Sequence, residues 1–224
     1  MKYFEIRNSL NVKEIGKYPQ VETAKNNCHI WDDPKFIERF GFDRIDSEVI
    51  TSNAILHKRA KITDLVSAYI IGFSLKLLMS SKLKNILEQH SNSKFQFFKA
   101  PIIYKNEYYE NYWIMHSHTF SFNYIDFEKS NFVLRKRKLG GGTFLENIEI
   151  RTIDQFKKVL NCDLKSKRIK FFCNNVILKS TIGEDFFSLR HVSGGFKHFV
   201  SEKLKVEIDK QNCTGIEFIP QPIN

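Results

Sequence analysis

The sequence predicts an α+β fold, mostly antiparallel sheet with a few short helices, and three observations predict it. Short runs of aromatic and β-branched residues, broken by Asn, Asp or Gly, recur along the chain as strands do. A few other stretches space their apolar residues at helical intervals behind a Ser or Asp cap. Two of those capped stretches lie inside an internal repeat that reads as helix, turn and strand.

In chain order, the strand-like runs are Tyr3 to Ile6, Ile102 to Tyr104, Tyr112 to His116, Phe120 to Tyr124, Phe132 to Leu134, Ile148 to Arg151, Ile169 to Cys173 and Phe186 to Arg190. Asp33-Pro34 supplies an N-cap and a first-turn proline for a helix through about Phe40, stopped by Gly41. Ser80 precedes a helix carrying Leu83, Ile86 and Leu87 on one face, and Ser201 precedes one carrying Leu204 and Ile208. A fourth helix is predicted over Asp154 to Leu160. Leu65 to Met79 is the most apolar segment, but Ser67, Ser74 and Lys76 interrupt it and it falls short of the roughly 20 apolar residues that cross a bilayer. It is read as buried structure.

The repeat aligns 79–102 with 200–223 without a gap. Ser80, Lys82, Leu83, Lys84, Phe97, Pro101 and Ile102 recur as Ser201, Lys203, Leu204, Lys205, Phe218, Pro222 and Ile223. Either a unit was duplicated or two copies of a common motif converged; in both cases the segments are expected to play equivalent structural roles. A repeated unit carries no chemistry of its own.

Aromatics make up 14% of the 224 residues, with 21 Phe, which is ample for a buried core. One compact domain over 1–224 is expected. The opening residues hold a charge inside their short apolar stretch and no signal-peptide core follows, so a cytoplasmic protein is expected. Cys28, Cys162, Cys173 and Cys213 lie far apart without a Cys-x-x-Cys pair, as reduced and mostly buried thiols do. The formal net charge of +10 is the strongest compositional signal and suits nucleic acid, an anionic membrane surface or an acidic protein partner.

Catalytic patterns are scarce. Gly140-Gly141-Gly142-Thr143 lacks the Lys-Ser/Thr that closes a phosphate loop, because the lysine stands before the glycines. His116 and His118 share a strand face, yet no Asp, Glu or Cys is near in sequence to complete a metal site. Asp126, Glu128 and Ser130 read as a strand-ending turn rather than a carboxylate pair. Cys28 and His29 are adjacent, which sends their side chains to opposite faces of an extended segment. No enzyme, metal or cofactor is expected. The basic run Arg135-Lys136-Arg137-Lys138 reads as a mobile loop between two strands and is the candidate partner-binding site. With aromatic neighbours such as Phe132, the same run also suits phosphates and bases, so a basic nucleic-acid-binding protein without a recognised motif is the alternative.

The order of certain motifs resembles a known family. Tyr112-Trp113-Ile114-Met115 leads to Tyr124-Ile125-Asp126 and Ser130; Phe186-Phe187-Ser188-Leu189-Arg190 follows, then Phe199-Val200-Ser201-Glu202-Lys203-Leu204-Lys205 and finally Thr214-Gly215-Ile216-Glu217-Phe218. From about Thr63 to Pro220 this resembles immunity-protein family eleven of the bacterial polymorphic toxin systems, formerly a domain of unknown function. The resemblance implies an α+β protein that binds and neutralises a cognate toxin inside the producing cell, and it brings no catalytic residues. So basic a surface would be steered toward an acidic face, so the contacted face of the toxin is expected to be acidic.

Overall fold

The computed structural model describes residues 2–92, 94–162 and 168–224. Among the described residues, the elements run β1 (Tyr3–Asn8), α1 (Val12–Ile15), β2 (Val21–Asn26), β3 (Ser52–Leu56), β4 (Leu65–Val66), β5 (Leu77–Ser80), α2 (Ser81–Gln89), β6 (Phe95–Lys99), β7 (Ile102–Tyr104), β8 (Glu107–Tyr109) and β9 (Tyr112–Ser117). They continue with β10 (Asn131–Arg137), β11 (Thr143–Ile148), α3 (Ile153–Leu160), β12 (Lys170–Asn175), β13 (Phe186–Val192), β14 (Gly195–Ser201), α4 (Glu202–Lys210) and β15 (Ile216–Gln221). The fold is α+β, and most strand pairs are antiparallel. β12 with β13 and β3 with β7 pair in parallel. No helix among the described residues is long and apolar enough to cross a membrane.

The strands form a seven-stranded sheet in the order β11-β10-β12-β13-β14-β1-β15 and two four-stranded sheets, β2-β3-β7-β8 and β4-β5-β9-β6. The chain divides into two compact units. One comprises Met1–Glu5, Phe120–Glu202 and Ile219–Asn224, and the other Ile6–Thr119 and Lys203–Phe218. The first is built on rings: Phe156, fully buried on α3, lies within 4.9 to 5.7 Å of the ring centroids of Phe122, Phe127, Phe132 and Phe171. The second packs Phe36, Ile37, Leu56, Phe73, Leu78, Ile102 and Ile114 together.

The repeat proves more extensive in space than in sequence. Ser80 Oγ donates to Asp64 Oδ1 and Ser201 Oγ to Asp185 Oδ1, each at 2.6 Å and each across 16 positions. Both serine amides also donate to the backbone oxygen of the same aspartate, at 2.8 Å. The residue preceding each aspartate offers its carbonyl to a tyrosine hydroxyl: Thr63 O to Tyr112 at 2.8 Å, and Glu184 O to Tyr3 at 3.0 Å. Even the first residue of each helix matches, with the Ser81 amide donating to Asn111 O and the Glu202 amide to Lys2 O. Strand orders β4-β5-β9-β6 and β13-β14-β1-β15 therefore correspond strand for strand. The closing strand follows its helix in one copy and precedes the whole copy in the other. A gapless comparison of sequence cannot register that permutation.

Asp64 shows why the arrangement holds. Its half-buried carboxylate accepts from Ser80 Oγ, from Lys82 Nζ at 3.0 Å, and from the Thr214 amide at 2.9 Å and hydroxyl at 3.2 Å. Burial pushes the carboxyl up, but those donors and the lysine charge outweigh it and hold it below its ordinary value. The next residue, Gly215, takes φ +79°, and a Cβ there would lie 2.2 Å from Leu65 O. Only glycine fits, which gives the Thr-Gly pair of the C-terminal motif a structural reason.

Three sequence expectations need correction. Asp33 opens only a turn, accepting from the Lys35 amide at 2.9 Å, and the helix shrinks to a 3-10 segment, Ile37–Phe40. The backbone of Lys35 and Ile37 bonds instead to Ile50, which takes the first turn out of any helix. Within Phe120 to Tyr124 the residues Phe122–Tyr124 form a 3-10 turn, not a strand, and seat Phe122 on Phe156 and Tyr124 on Phe187. The Ile148 to Arg151 run ends its strand at Ile148, because the next residues cap α3: Thr152 Oγ1 accepts from the Gln155 amide and Gln155 reaches back to the Arg151 amide. By contrast, the serine-capped helix, α2, buries Leu83, Ile86 and Leu87, and α4 buries Leu204 and Ile208, as their spacing requires.

His198 on β14 is wholly enclosed, its Nδ1 2.7 Å from Ser188 Oγ and its ring against Phe196. Loss of solvation pushes its pKa down to about 3. The unfolded chain, titrating near about 6.5, therefore takes up a proton that the folded chain refuses. Stability contributed by neutral His198 is complete above that value and declines as pH falls toward about 3. Denaturant unfolding between pH 7 and pH 5 is expected to show it, with H198Q flattening the slope by up to about 1.4 kcal/mol per pH unit.

Candidate partner-binding edge

β10 begins buried and ends in solvent. Phe132 and Val133 are in the core, whereas Arg135 and Arg137 are exposed. The basic run is thus not a loop. Arg135, Lys136 and Arg137 belong to a strand paired on both sides, with β11 and β12, and only Lys138 enters the turn. β11 pairs with all three and β12 with Arg135, so their charges are displayed from a fixed frame. Gly140, Gly141 and Gly142 take φ of 90°, 109° and 79°, a sequence of positive values that residues with a Cβ rarely adopt. Leu139, at the tip, is fully exposed.

Register sorts the side chains. Arg135 lies opposite Leu145 on β11 and Lys170 on β12, and Arg137 opposite Thr143, so these residues share the face turned away from the Phe132, Phe171 and Phe156 core. Lys136 points the other way, opposite Phe144, and pairs with Glu146 at 2.7 Å. The Arg135 guanidinium stacks over the Phe172 ring at 5.0 Å, which fixes its position without neutralising it. Arg135, Lys136, Arg137, Arg168 and Lys170 line a cleft of about 460 Å³ with Thr143 and Ile169. Among the described residues, no carboxylate pairs with Arg135, Arg137, Arg168 or Lys170. Arg168 and Lys170 escaped the sequence reading because they are distant in the chain; β12 pairing brings them beside Arg135.

β11 is the terminal strand of its sheet, and its residues are exposed or nearly so, including Phe144 at 40% and Leu145 at 48%. The Lys138 amide donates to Gly142 O at 3.1 Å, which sets the phase of the hairpin ladder. Phe144 and Glu146 then direct their amides and carbonyls to β10, and Thr143, Leu145 and Asn147 direct theirs outward. Among the described residues no strand occupies that outer edge.

The remaining candidates resolve as structure. Asp126 Oδ1 accepts from the Glu128 and Lys129 amides, and Oδ2 accepts from Asn224 Nδ2, so the carboxylate closes the expected turn. His116 is buried on β9 with Nε2 2.7 Å from Asp43 O, and burial lowers its pKa. Among the described residues, no group of three His, Cys, Asp or Glu is placed to hold a metal ion. The cysteines are free, but only Cys173 is buried, its thiol pushed up to about 12 by loss of solvation; Cys162 is exposed. That corrects the expectation of mostly buried thiols: Cys162 follows the exposed end of α3 rather than an apolar strand. The chain matches no protein-family model and no curated protein.

Proposed function

We propose that this chain is a bacterial immunity protein that binds and neutralises a cognate toxin in the cytoplasm of the producing cell. The observation carrying the reading is the β10–β11 hairpin with its neighbour β12: Arg135, Arg137 and Lys170, without a carboxylate partner among the described residues, near exposed Leu139, Phe144 and Leu145. Arginine and aromatic anchors with apolar neighbours are what tight protein interfaces use. The excess positive charge suits an acidic toxin face, which it would attract over long range. The motif resemblance from Thr63 to Pro220 agrees with that role.

Co-expression with the product of the neighbouring gene tests it. A stable complex together with rescue of growth is the expected result; neither binding nor rescue would overturn the reading in favour of nucleic acid. Within such a complex, reversing Arg135 and Arg137 to Glu is expected to slow association about tenfold or more at low salt and to flatten its salt dependence. Stopped-flow mixing over a range of ionic strength measures both. Lys136 is the control position, since its charge is already matched by Glu146.

A further inference from the structure

Resting on the protein-binding reading, we propose that β11 receives an extended, acidic segment of the partner as an added strand of the seven-stranded sheet. The backbone makes the first case. Thr143, Leu145 and Asn147 present outward amides and carbonyls along an edge that no described strand covers. Exposed edges of this kind recruit strands, and proteins that avoid it place lysine, proline or inward-pointing charge on the edge strand itself. β11, Thr-Phe-Leu-Glu-Asn-Ile, has none of the first two, and its one charge, Glu146, is tied to Lys136.

Charge decides the occupant. Arg135 and Arg137 stand one strand in from that edge, on the face they share with Leu145 and Thr143, and Lys170 lies a strand further in; no carboxylate among the described residues matches them. A strand laid along β11 places alternate side chains on that face. Acidic residues at those positions would meet the arginines, and apolar residues at the intervening positions would meet Phe144 on the other face. A second copy of this chain fits poorly, because its own β11 offers a single carboxylate, Glu146, already tied to Lys136, and the strand beside it repeats the unmatched Arg135 and Arg137. A nucleic acid would satisfy the cations but leave the outward amides and Phe144 unused.

The probe is a blocked peptide of alternating glutamate and valine, compared with the same peptide N-methylated at alternate amides and with an oligouridylate. Leu145→Pro is the companion variant: its outward amide makes no bond to β10, so an edge strand tolerates the proline while losing a pairing group. Amide exchange followed by NMR is expected to show new protection at Thr143, Leu145 and Asn147 on adding the peptide, with Phe144 and Glu146 little changed. N-methylation, or L145P, is expected to weaken binding at least tenfold. Equal binding by the N-methylated peptide, binding of oligouridylate in preference to the peptide, or a dimer in light scattering that L145P abolishes would each overturn the proposal. L145P also separates the two readings. Toxin binding and growth rescue unimpaired in L145P would refute strand addition and leave the immunity role standing. Peptide pairing lost in L145P, with no co-encoded toxin bound or neutralised, would uphold the edge and refute the immunity role.

Discussion

Replacing Phe156 by alanine is expected to destabilise the unit that contains it by about 3 to 5 kcal/mol, the usual cost of removing a fully buried Phe. The side chain is inaccessible to solvent and meets Phe122, Phe127, Phe132 and Phe171 at ring distances that favour tilted and edge contacts. Those neighbours come from a 3-10 turn, a tight turn and two strands, so they cannot all move together to fill the void. Phe156→Leu, which keeps most of the volume, should recover more than half of the loss. Urea unfolding followed by circular dichroism gives both values. A loss below about 1 kcal/mol for the alanine variant would mean that the ring cluster collapses freely, contrary to the close packing described. Because Phe132 and Phe171 belong to β10 and β12, the same variant should also loosen the frame that displays Arg135 and Lys170.

A second large effect is expected at Asp64. Asp64→Ala leaves Ser80 Oγ and the Thr214 amide without their acceptor and Lys82 Nζ with only the Gln211 and Asn212 carbonyls, and an unsatisfied buried donor costs about 1 to 3 kcal/mol. Lys82 is partly exposed and can turn to water, so a total of about 3 kcal/mol is reasonable. The sign with pH follows from the lowered carboxyl. Stability from ionised Asp64 is complete above the unfolded value of about 3.9 and is lost as pH falls through the lower folded value. Acid unfolding of D64A should therefore lose part of the steepness seen in the parent chain below about pH 4. Asp185→Ala is expected to cost about 1 to 3 kcal/mol through Ser201, whose hydroxyl bond to the Asp185 carboxylate matches that of Ser80 to Asp64. A D185A variant with wild-type stability would show that the two copies share geometry without sharing energetics.

The legible and illegible parts of this chain divide by the range of the forces involved. Ser80 with Leu83, Ile86 and Leu87, or Ile102 to Tyr104 as a strand, could be read directly, because capping and periodicity are set within a few residues. Lys35 and Ile37 could not: their bonds to Ile50 are long-range pairings that displace a locally favoured helix. At the candidate edge, Arg135 to Lys138 stood out as adjacent cations, yet the strand that holds them, the salt bridge that removes Lys136 from play, and the addition of Arg168 and Lys170 all depend on pairing with β11 and β12. His198 gave no sign of being enclosed, since alternation along β14 predicts a face but not whether another layer covers it.

The sequence by itself determined the α+β class, the positions of α2, α3 and α4, the positive charge and the existence of a repeat, because propensity, capping and composition act locally or sum over the chain. Tertiary structure alone decided that the repeat is closed by β9 in one copy and β1 in the other, that Asp64 and Asp185 anchor the serines that precede α2 and α4, and which edge of the sheet stays open among the described residues. Strand order is a matter of which backbone donors meet which acceptors across long loops, and no residue carries that information until its partner is in place.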